Sequence, residues 1–478
     1  IKYKKYGTEL LKQGMSIKGL TNYAMLHKDF KTYKIKDSVI GIGQLLTADL
    51  DLINKKMNSI VKYLDEVSVT ENMRVVALFI TDIFENQSYC IYNTSAKEII
   101  KIVLIAFGIL LFICLSILKS NVEFAEWWTR NFGFLYENII GRISSLFPIS
   151  MLEFWIIFLI GIVIFFFVRM IINFKRKNKI KGIRSITAII LVAVCTISIF
   201  QATYGVSYNR KKVDIVQYEE KIDYTYYDEI ISYYLEDFNF VSSQMQYKED
   251  GDVISPYSFE ELSSIMQEEY KRLDSDYFNS YTPKTKKMYL TSWLYTELWI
   301  QGVFFAPSGD TNINYKIPAS NLPYTIGHEL AHAKGVTRED DANLTSLYIN
   351  LTSDKPYLRY SAYMNTFYSI LQLSNYMGDD EAYSKYNSML NSAIGYNHLR
   401  NNEFWNSHTV INDIGEWFNN LYLKINGTSG TGSYDDVYDV GDGIKKDDET
   451  GEEVQIKIVS NYSPYQKLYF ALYPYELN

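Results

Sequence analysis

Three long apolar runs dominate the hydrophobic pattern of this chain. They cover Ile102 to Leu118, about Ile149 to Ile172, and Ser185 to Tyr204. Each run has about the length that an α-helix needs to cross a hydrocarbon core of about 30 Å, since a helix rises about 1.5 Å per residue. Buried core helices are the alternative, but three such runs close together are difficult to bury in a soluble domain. The pattern therefore predicts three transmembrane helices.

Charged residues between the runs predict their orientation. The segment from Lys175 to Arg184 carries six basic residues and no acidic residue, and short basic loops face the cytoplasm. This places the N-terminal region inside the cell, and places the linker 121–148 and everything after Tyr204 outside. The basic run from Arg210 to Lys212 weakens the rule slightly without reversing it. Aromatic residues in the linker favour a helix at the membrane interface: Trp127, Trp128 and Tyr136.

The apolar runs divide the chain into three parts. Residues 1–98 predict a small α/β module, with a helical pattern at Leu52 to Val67 and a strand-like run at Arg74 to Ile83. Residues 99–204 form the predicted three-helix membrane anchor, and residues 205–478 predict a mainly helical domain with a small sheet. The predicted fold class is therefore α+β, with several domains.

Capping and turn signals predict elements within residues 205–478. Ser258-Phe259-Glu260-Glu261 has the spacing of a capping box, which predicts the start of a helix. Trp299 to Ala306 and Thr311 to Ile317 have the composition and alternation of strands. The second of these is either an edge strand that pairs with an extended peptide or an ordinary strand within a sheet. Asn426 to Gly451, rich in Gly, Asp and Ser, predicts a loop.

The most specific motif in the chain is His328-Glu329-Leu330-Ala331-His332, in a sequence with five histidines. A spacing of four residues places both imidazoles on one face of a helix, where they can bind one zinc ion. Glu329 directly follows the first histidine, so it can take a proton from an attacking water. The alternative is a helix with two solvated histidines. The motif predicts two zinc ligands, His328 and His332, and a catalytic base.

A third ligand is expected close by. Gly335 can adopt the left-handed conformation that ends a helix, and Thr337 predicts the N-cap of a second helix that turns back toward the first. Glu339 would then reach the zinc, and Asn343, four residues later on the same face, would orient a ligand histidine. Asp341 is the rival third ligand; the pairing with Asn343 favours Glu339.

Three further residues are candidates for stabilising negative charge on a substrate oxygen. They are Tyr360, His398 and His408, because related zinc enzymes use a Tyr, His or Arg in this role. For each of them, a structural or surface role is the alternative.

Composition restricts the partners and the ligand types. The formal net charge of −8 lacks the basic signature of nucleic-acid binding, so we expect no nucleic-acid partner. The three cysteines are Cys90, Cys114 and Cys195, so a metal site after Cys195 must use histidine and carboxylate ligands.

Part of the N-terminal region resembles a known module. His27 to Lys31, Ile40 to Gln44 and Phe79 to Ile83 are similar to the C-terminal, DHHA2-type domain of family II inorganic pyrophosphatases and related DHH phosphoesterases. The resemblance implies a phosphate-binding module in which Lys31 takes the place of a basic phosphate contact. It does not extend to the metal-binding half of those enzymes, so pyrophosphatase activity is not expected.

A second resemblance covers about residues 100–440. The sequence around the motif, from Tyr324 to Asn343, is similar to an uncharacterised bacterial three-span membrane family with zincin features, as are Phe147 to Ser150 and Tyr204 to Arg210. The chain departs from that family at Asp341, where Glu is usual, and at Ala333, where a polar residue is usual. The resemblance implies membrane anchorage and a zinc hydrolase, without naming a substrate.

These observations predict a zinc-dependent metallopeptidase anchored in the bacterial cytoplasmic membrane. Its N-terminus would be cytoplasmic and its metal centre outside. Its partners would be membrane lipid and an unidentified peptide or protein substrate. The alternatives are a non-catalytic zinc-binding envelope protein and a membrane-coupled sensor whose N-terminal module, 1–98, binds a phosphorylated metabolite.

Overall fold

A computed structural model describes most of the chain after residue 95. The described residues are 96–216, 221–273, 276–409, 439–446, 453–460 and 463–473, with four single positions between 411 and 417. The predicted α/β module, including its helix at 52–67, its strand at 74–83 and Lys31, lies outside them except for residues 96–98.

Within the described part of the chain, three helices are long and apolar enough to cross a membrane: α1 (Ala96–Leu118), α4 (Met151–Lys175) and α5 (Lys179–Phe200). They confirm the three predicted apolar helices, and they indicate a membrane protein. Helix α5 begins at Lys179, earlier than the predicted Ser185, because Lys and Arg continue a helix as readily as apolar residues do.

The chain divides into two compact units, of which the first comprises residues 1–113 and 161–198. Within it, α1 and α5 approach closely at Gly108. A Cβ atom there would lie 2.6 Å from Cγ1 of Val194, and the Ser198 hydroxyl donates a hydrogen bond to the Gly108 carbonyl at 2.9 Å. Small residues of this kind allow two apolar helices to pack directly against each other.

The second unit comprises residues 114–160 and 199–478. It includes the linker between α1 and α4, which forms α2 (Val122–Trp128), a π-helical turn (Thr129–Gly133) and α3 (Phe134–Ser144). Helix α3 is amphipathic, because every fourth residue on one face is exposed and apolar: Leu135, Ile139 and Ile143. The opposite face is buried, including Glu137, Gly141 and Ser144.

Most of the second unit is helical. After a π-helical turn at Gln201–Gly205 and a short 3-10 turn at Ser207–Asn209, its helices are α6 (Tyr227–Ser243), α7 (Phe259–Tyr270), α8 (Ser292–Glu297), α9 (Leu322–Ala333), α10 (Glu339–Leu351), α11 (Pro356–Tyr376), α12 (Asp380–Met389), α13 (Ser392–Asn406) and α14 (Pro464–Leu472). All of these helices except α8 contribute apolar side chains to one core, in which Phe238, Leu330 and Phe367 are fully buried. The predicted capping box is present, since Ser258 and Glu261 each bond the other's backbone at the start of α7.

One three-stranded sheet lies beside the motif helix. Its strands are β4 (Thr285–Lys287), β5 (Gly302–Phe305) and β6 (Asp310–Ile313), in the order β4-β6-β5. Strand β6 runs parallel to β4 and antiparallel to β5. The interpretation of residues 311–317 as an edge strand is therefore wrong, because β6 occupies the centre and β5 is an edge.

Two further sheets, one of two strands and one of three, complete the described strands. A hairpin pairs β2 (Gln246–Tyr247) with β3 (Val253–Ile254), and β8 (Glu453–Ser460) lies between β1 (Lys221–Asp223) and β7 (Asp439–Lys446). Strand β7 falls inside the stretch predicted as a loop. Its glycines and aspartates gave a turn-like composition, but β8 supplies a full antiparallel partner for its backbone.

Candidate metal centre

The turn between α9 and α10 is set by Gly335, as predicted. Gly335 has φ of +90°, and its N–H donates to the His332 carbonyl at 2.9 Å, while the Val336 N–H donates to the Ala331 carbonyl at 3.0 Å. This pair of bonds is the Schellman arrangement, which ends a helix and reverses the chain. It brings the start of α10 back beside the histidines of α9.

The N-cap of α10 is Arg338, one residue later than the predicted Thr337. Arg338 has an extended backbone and makes no side-chain cap. The Schellman turn uses Val336 and Thr337 to leave α9, so the second helix begins only at Glu339.

Three side chains converge between the two helices. Nε2 of His328 lies 3.0 Å from Oε2 of Glu339 and 3.1 Å from Nε2 of His332, and the remaining pair, His332 to Glu339, is 3.5 Å apart. Among the described residues these three form a group that could hold a metal ion. The structure therefore brings together the three residues that the sequence nominated as ligands.

Both imidazoles are oriented by hydrogen bonds at their other nitrogen. Nδ1 of His328 lies 2.8 Å from Oδ1 of Asn343, and Nδ1 of His332 lies 2.7 Å from the Val336 carbonyl. Both partner oxygens accept, so each Nδ1 carries the proton and each Nε2 presents a lone pair to the group. The two Nε2 lone pairs and the Glu339 carboxylate oxygen lie about 3 Å from one another, and a cation between them would relieve their mutual repulsion. Asn343 takes the orienting position that the sequence predicted.

The charges of the group influence one another. Burial opposes ionisation of Glu339, but the two adjacent histidines outweigh this and hold its pKa well below the usual range. Burial alone would lower the pKa of His332, whereas Glu339 raises it. The carboxylate of Glu339 and the imidazoles therefore stabilise each other's charged forms.

Glu329 lies on α9 beside the group and is buried. Burial raises its pKa to about 7, and the backbone N–H of Phe304 in β5 donates a hydrogen bond to its carboxylate. Strand β5 passes so close that a Cβ atom on Gly302 would lie 2.6 Å from both Cγ and Oε1 of Glu329. Gly302 was not identified from the sequence, because its importance comes from a close approach between distant elements.

The group faces a cavity of about 830 Å³. Its walls come from α9, α10 and β5, and from residues far from the motif in sequence. These include Tyr204, Tyr208, Tyr295, Leu298 and Asn365. The ring of Tyr204 stands perpendicular to that of His332, with 6.2 Å between their centroids. Tyr204 and Tyr208 belong to a block that resembles the three-span family, but the sequence did not identify any of these residues as part of the site.

Asp341, the rival ligand, points away from the group. Its carboxylate accepts the Val213 N–H at 3.4 Å and lies 3.7 Å from the guanidinium of Arg338. Burial raises the pKa of Asp341 to about 6. Its contacts tie the start of α10 to the segment after α5.

The three candidates for oxyanion stabilisation lie elsewhere. Tyr360 is buried and donates to Asn397 at 2.8 Å, and His398 stacks on Tyr368 with 4.2 Å between ring centroids. Nδ1 of His408 lies 2.7 Å from the Phe404 carbonyl. None of the three belongs to the described lining of the cavity. Helix α11 turns Tyr360 toward α13, and it is Asn365 of that helix that reaches the cavity.

A buried ion pair holds the turn between the ligand helices. Arg210 donates to the Gly335 carbonyl at 2.8 Å and pairs with Glu126 of α2 at 3.0 Å. Phe134 of α3 packs so tightly on the turn that a Cβ atom on Gly335 would lie 2.5 Å from its ring. The linker between the first two apolar helices therefore supports the metal centre directly.

The curated relatives match about a fifth of the chain. A probable manganese-dependent inorganic pyrophosphatase of Clostridium acetobutylicum is 31% identical over 96 residues, which is 20% of this chain and 31% of the relative. The equivalent protein of Staphylococcus saprophyticus is 32% identical over 93 residues, which is 20% of this chain and 30% of that protein. The chain thus spans less than a third of these relatives. No solved structure matches the chain.

Two family comparisons agree with the two resemblances. The DHHA2 domain family matches residues 8–110. The family described as protein of unknown function (DUF3810) matches residues 128–440, well over half of the chain, and this match contains the linker from residue 128 onward, the apolar helices α4 and α5, and all three residues of the candidate metal group. The chain therefore belongs to the DUF3810 family of proteins of unknown function.

Proposed function

We propose that this protein is a zinc metallopeptidase anchored in the bacterial cytoplasmic membrane, with its metal centre outside the cytoplasm. The observation that carries the proposal is the arrangement of His328, His332 and Glu339 around one point, with both Nδ1 atoms already bonded to acceptors.

The donor set fits zinc. Two ligands at about 2.05 Å from a tetrahedral zinc ion are about 3.3 Å apart, and the three separations here, 3.0, 3.1 and 3.5 Å, bracket that value. Three protein ligands beside an open cavity are typical of catalytic zinc sites, whereas structural sites are closed by a fourth ligand. Bound zinc would supply a Lewis acid that polarises a peptide carbonyl and acidifies a water molecule.

Glu329 is placed to move protons. It lies one residue from a ligand and inside the cavity, so its carboxylate can accept the proton of the attacking water and deliver it to the leaving amine. The Phe304 N–H fixes the carboxylate in position.

Strand β5 supports a peptide as the substrate. It is an edge strand of its sheet, and three of its residues, Gly302, Val303 and Phe304, line the cavity. An extended peptide can add to such an edge through main-chain hydrogen bonds, which places its carbonyl groups next to the centre. The sequence suggested residues 311–317 as the strand that pairs with an extended peptide; we propose β5 for this role instead.

The orientation rests on the basic loop between α4 and α5. Six basic residues lie between Lys175 and Arg184, at the end of α4, in the connection and in the first turns of α5, and short basic segments of this kind stay in the cytoplasm. With this segment in the cytoplasm, the crossings of α4 and α5 would lead to a linker and a metal centre on the outside.

The test is Glu329→Gln in the full-length protein, with a degenerate peptide mixture as substrate. Zinc content should persist while hydrolysis falls by at least about 100-fold, since general-base catalysis contributes that much. Wild-type rates in Glu329→Gln contradict the mechanism. A zinc-loaded wild type that cleaves nothing supports the non-catalytic envelope protein instead.

A second candidate role concerns the N-terminal region, because residues 8–110 match the DHHA2 family. In this role the module binds a phosphorylated ligand in the cytoplasm, with Lys31 as a phosphate contact. Calorimetric titration of the full-length protein with pyrophosphate should show saturable binding that Lys31→Ala weakens. The absence of binding removes this role.

A further inference from the structure

The wall of the cavity begins where an apolar helix ends. Helix α5 has 22 residues, so its length of about 33 Å suffices to cross a hydrocarbon core of about 30 Å. Tyr204 follows only four residues after Phe200, the last residue of α5, and its ring lies 6.2 Å from that of His332. The metal centre is therefore on the order of 10 Å from the end of α5.

A second wall is tied to the first turn of α4. The carboxylate of Glu153 accepts the backbone N–H groups of Tyr289, Leu290 and Thr291 at 3.0, 2.8 and 2.7 Å. This segment leads directly into α8, and Tyr295 of α8 lines the cavity. The start of α4 is thus linked to one wall of the cavity through residues 289–291, and the segment that follows α5 forms another.

Large apolar side chains are exposed at this end. Leu290 is 61% exposed and Trp293 is 60% exposed, and Tyr289 beside them is also exposed. We call these three residues the outer patch. Because Glu153 holds the patch, it continues the exposed apolar surface of α4 that begins at Phe154. Tryptophan and tyrosine next to a transmembrane helix are typical of the headgroup region of a bilayer.

The linker presents a similar surface. The exposed face of α3 is apolar, and the segment that joins α3 to α4 exposes Leu146, Phe147 and Ile149. An amphipathic helix of this kind lies in the plane of the interface, with its apolar face toward the lipid. The bilayer that surrounds α4 is the occupant that covers both the linker face and the outer patch.

We propose that the metal centre acts on polypeptides held at the outer membrane surface, and that it cleaves the stretch next to their membrane anchor. The inference rests on the proposed peptidase function and names its substrate class. The outer patch inserts into the headgroup region and so keeps the cavity close to the bilayer surface. At that distance from the bilayer, the residues of an anchored polypeptide that reach the cavity are those next to its anchor.

The substrate test uses full-length protein in liposomes and three peptides with the same degenerate sequence. One carries a palmitoyl anchor and a Gly/Ser spacer of 6 residues, one carries the anchor and a spacer of 30 residues, and one has no anchor. The short spacer reaches at most about 20 Å, whereas the long one extends about 30 Å on average. We expect the short-spacer peptide to be cleaved at least as fast as the long one, and at least 10-fold faster than the free peptide.

The outcomes separate the two proposals. Cleavage of the long-spacer or free peptide without cleavage of the short one overturns the substrate assignment and leaves the peptidase intact. If none of the three peptides is cleaved by zinc-loaded protein, the peptidase function fails, and the substrate assignment fails with it.

A matched pair of variants tests the outer patch. Trp293→Ser should lower the ratio of anchored to free peptide cleavage at least fivefold. Phe240→Ser, at a 58% exposed aromatic on α6, should leave the ratio within twofold of wild type. Equal ratios in the two variants contradict a role for the patch.

Membrane insertion of the patch can be measured without any activity. Cysteine is introduced by Trp293→Cys or Phe240→Cys after the three native cysteines are replaced by alanine, and the thiol is labelled with a fluorophore. Brominated lipids should quench the label at position 293 at least twofold more than the label at position 240. Equal quenching overturns the inference.

Discussion

The ligands of the metal centre and the walls of its cavity are assembled in different ways. His328, His332 and Glu339 lie in two consecutive helices joined by one turn, so local helix geometry positions them. The walls are contributed by residues such as Tyr204, Tyr295 and Gly302, which only tertiary packing brings together. A substitution among the ligands should therefore remove the metal, while a substitution in the walls should leave the metal and impair the chemistry.

The largest expected effect is on the ligands. His332→Ala removes one of three ligand atoms, so zinc affinity should fall by more than the roughly 10–100-fold that loss of a supporting hydrogen bond costs. Competition with a chelator measures this, and hydrolysis should be lost in parallel. His398→Ala is the matched control, since His398 stacks on Tyr368 away from the cavity lining. Unchanged zinc affinity in His332→Ala would show that the ligand set is wrong.

The walls should respond differently. Gly302→Ala forces a methyl group against the Glu329 carboxylate, and a displaced catalytic group can cost about 100-fold in rate. Zinc content should remain normal. Gly395→Ala is the control, because a Cβ atom there meets nothing within 4 Å. Loss of zinc in Gly302→Ala would contradict the prediction that wall residues affect the chemistry without affecting metal binding.

An intermediate effect is expected where a supporting residue contacts a ligand. Asn343→Ala leaves Nδ1 of His328 without its 2.8 Å partner, so zinc affinity should fall by about 10–100-fold. Asn343→Asp keeps an acceptor in place and should restore most of it. If the alanine and aspartate variants bind zinc equally, Asn343 does not orient the histidine.

The smallest effect on the centre is expected from the linker. Glu126→Gln leaves the buried guanidinium of Arg210 without its charge partner and should destabilise the fold by about 2 kcal/mol. Zinc affinity should change only a few-fold. Glu123→Gln, in the same helix, breaks an exposed ion pair with Lys211 and should cost less than about 1 kcal/mol. Thermal unfolding of both variants gives the comparison, and equal stabilities contradict the role of the buried pair.

The same contrast explains what the sequence could predict. The motif, Gly335, Glu339 and Asn343 follow from helix periodicity and turn chemistry, which depend on neighbours within a few residues. Gly302 and the wall tyrosines could not be recognised, because a close approach between β5 and α9 leaves no mark on local spacing.

Some local patterns were also misleading. Tyr360 had a suitable side chain, but the rotation of α11 turns it into the core. Arg210 was considered only as a charge near a membrane helix, whereas it holds the ligand turn. The strand β7 depends on its partner β8, and its own composition indicated a loop. Burial, helix rotation and strand pairing depend on tertiary contacts across the whole fold, so a short stretch of sequence does not reveal them.

The linker between α1 and α4 has a consequence for biosynthesis. A ribosome completes α2 and α3 before it makes Arg210, Lys286 and Asp310. Until then, Glu126 has no Arg210 with which to pair, and the hydroxyl of Ser144 lacks its partners Lys286 and Asp310. The linker is thus synthesised first, next to an apolar helix, and the later parts of the chain fold against it. A metal ion that binds between α9 and α10 would therefore enter only after all three apolar helices have been synthesised.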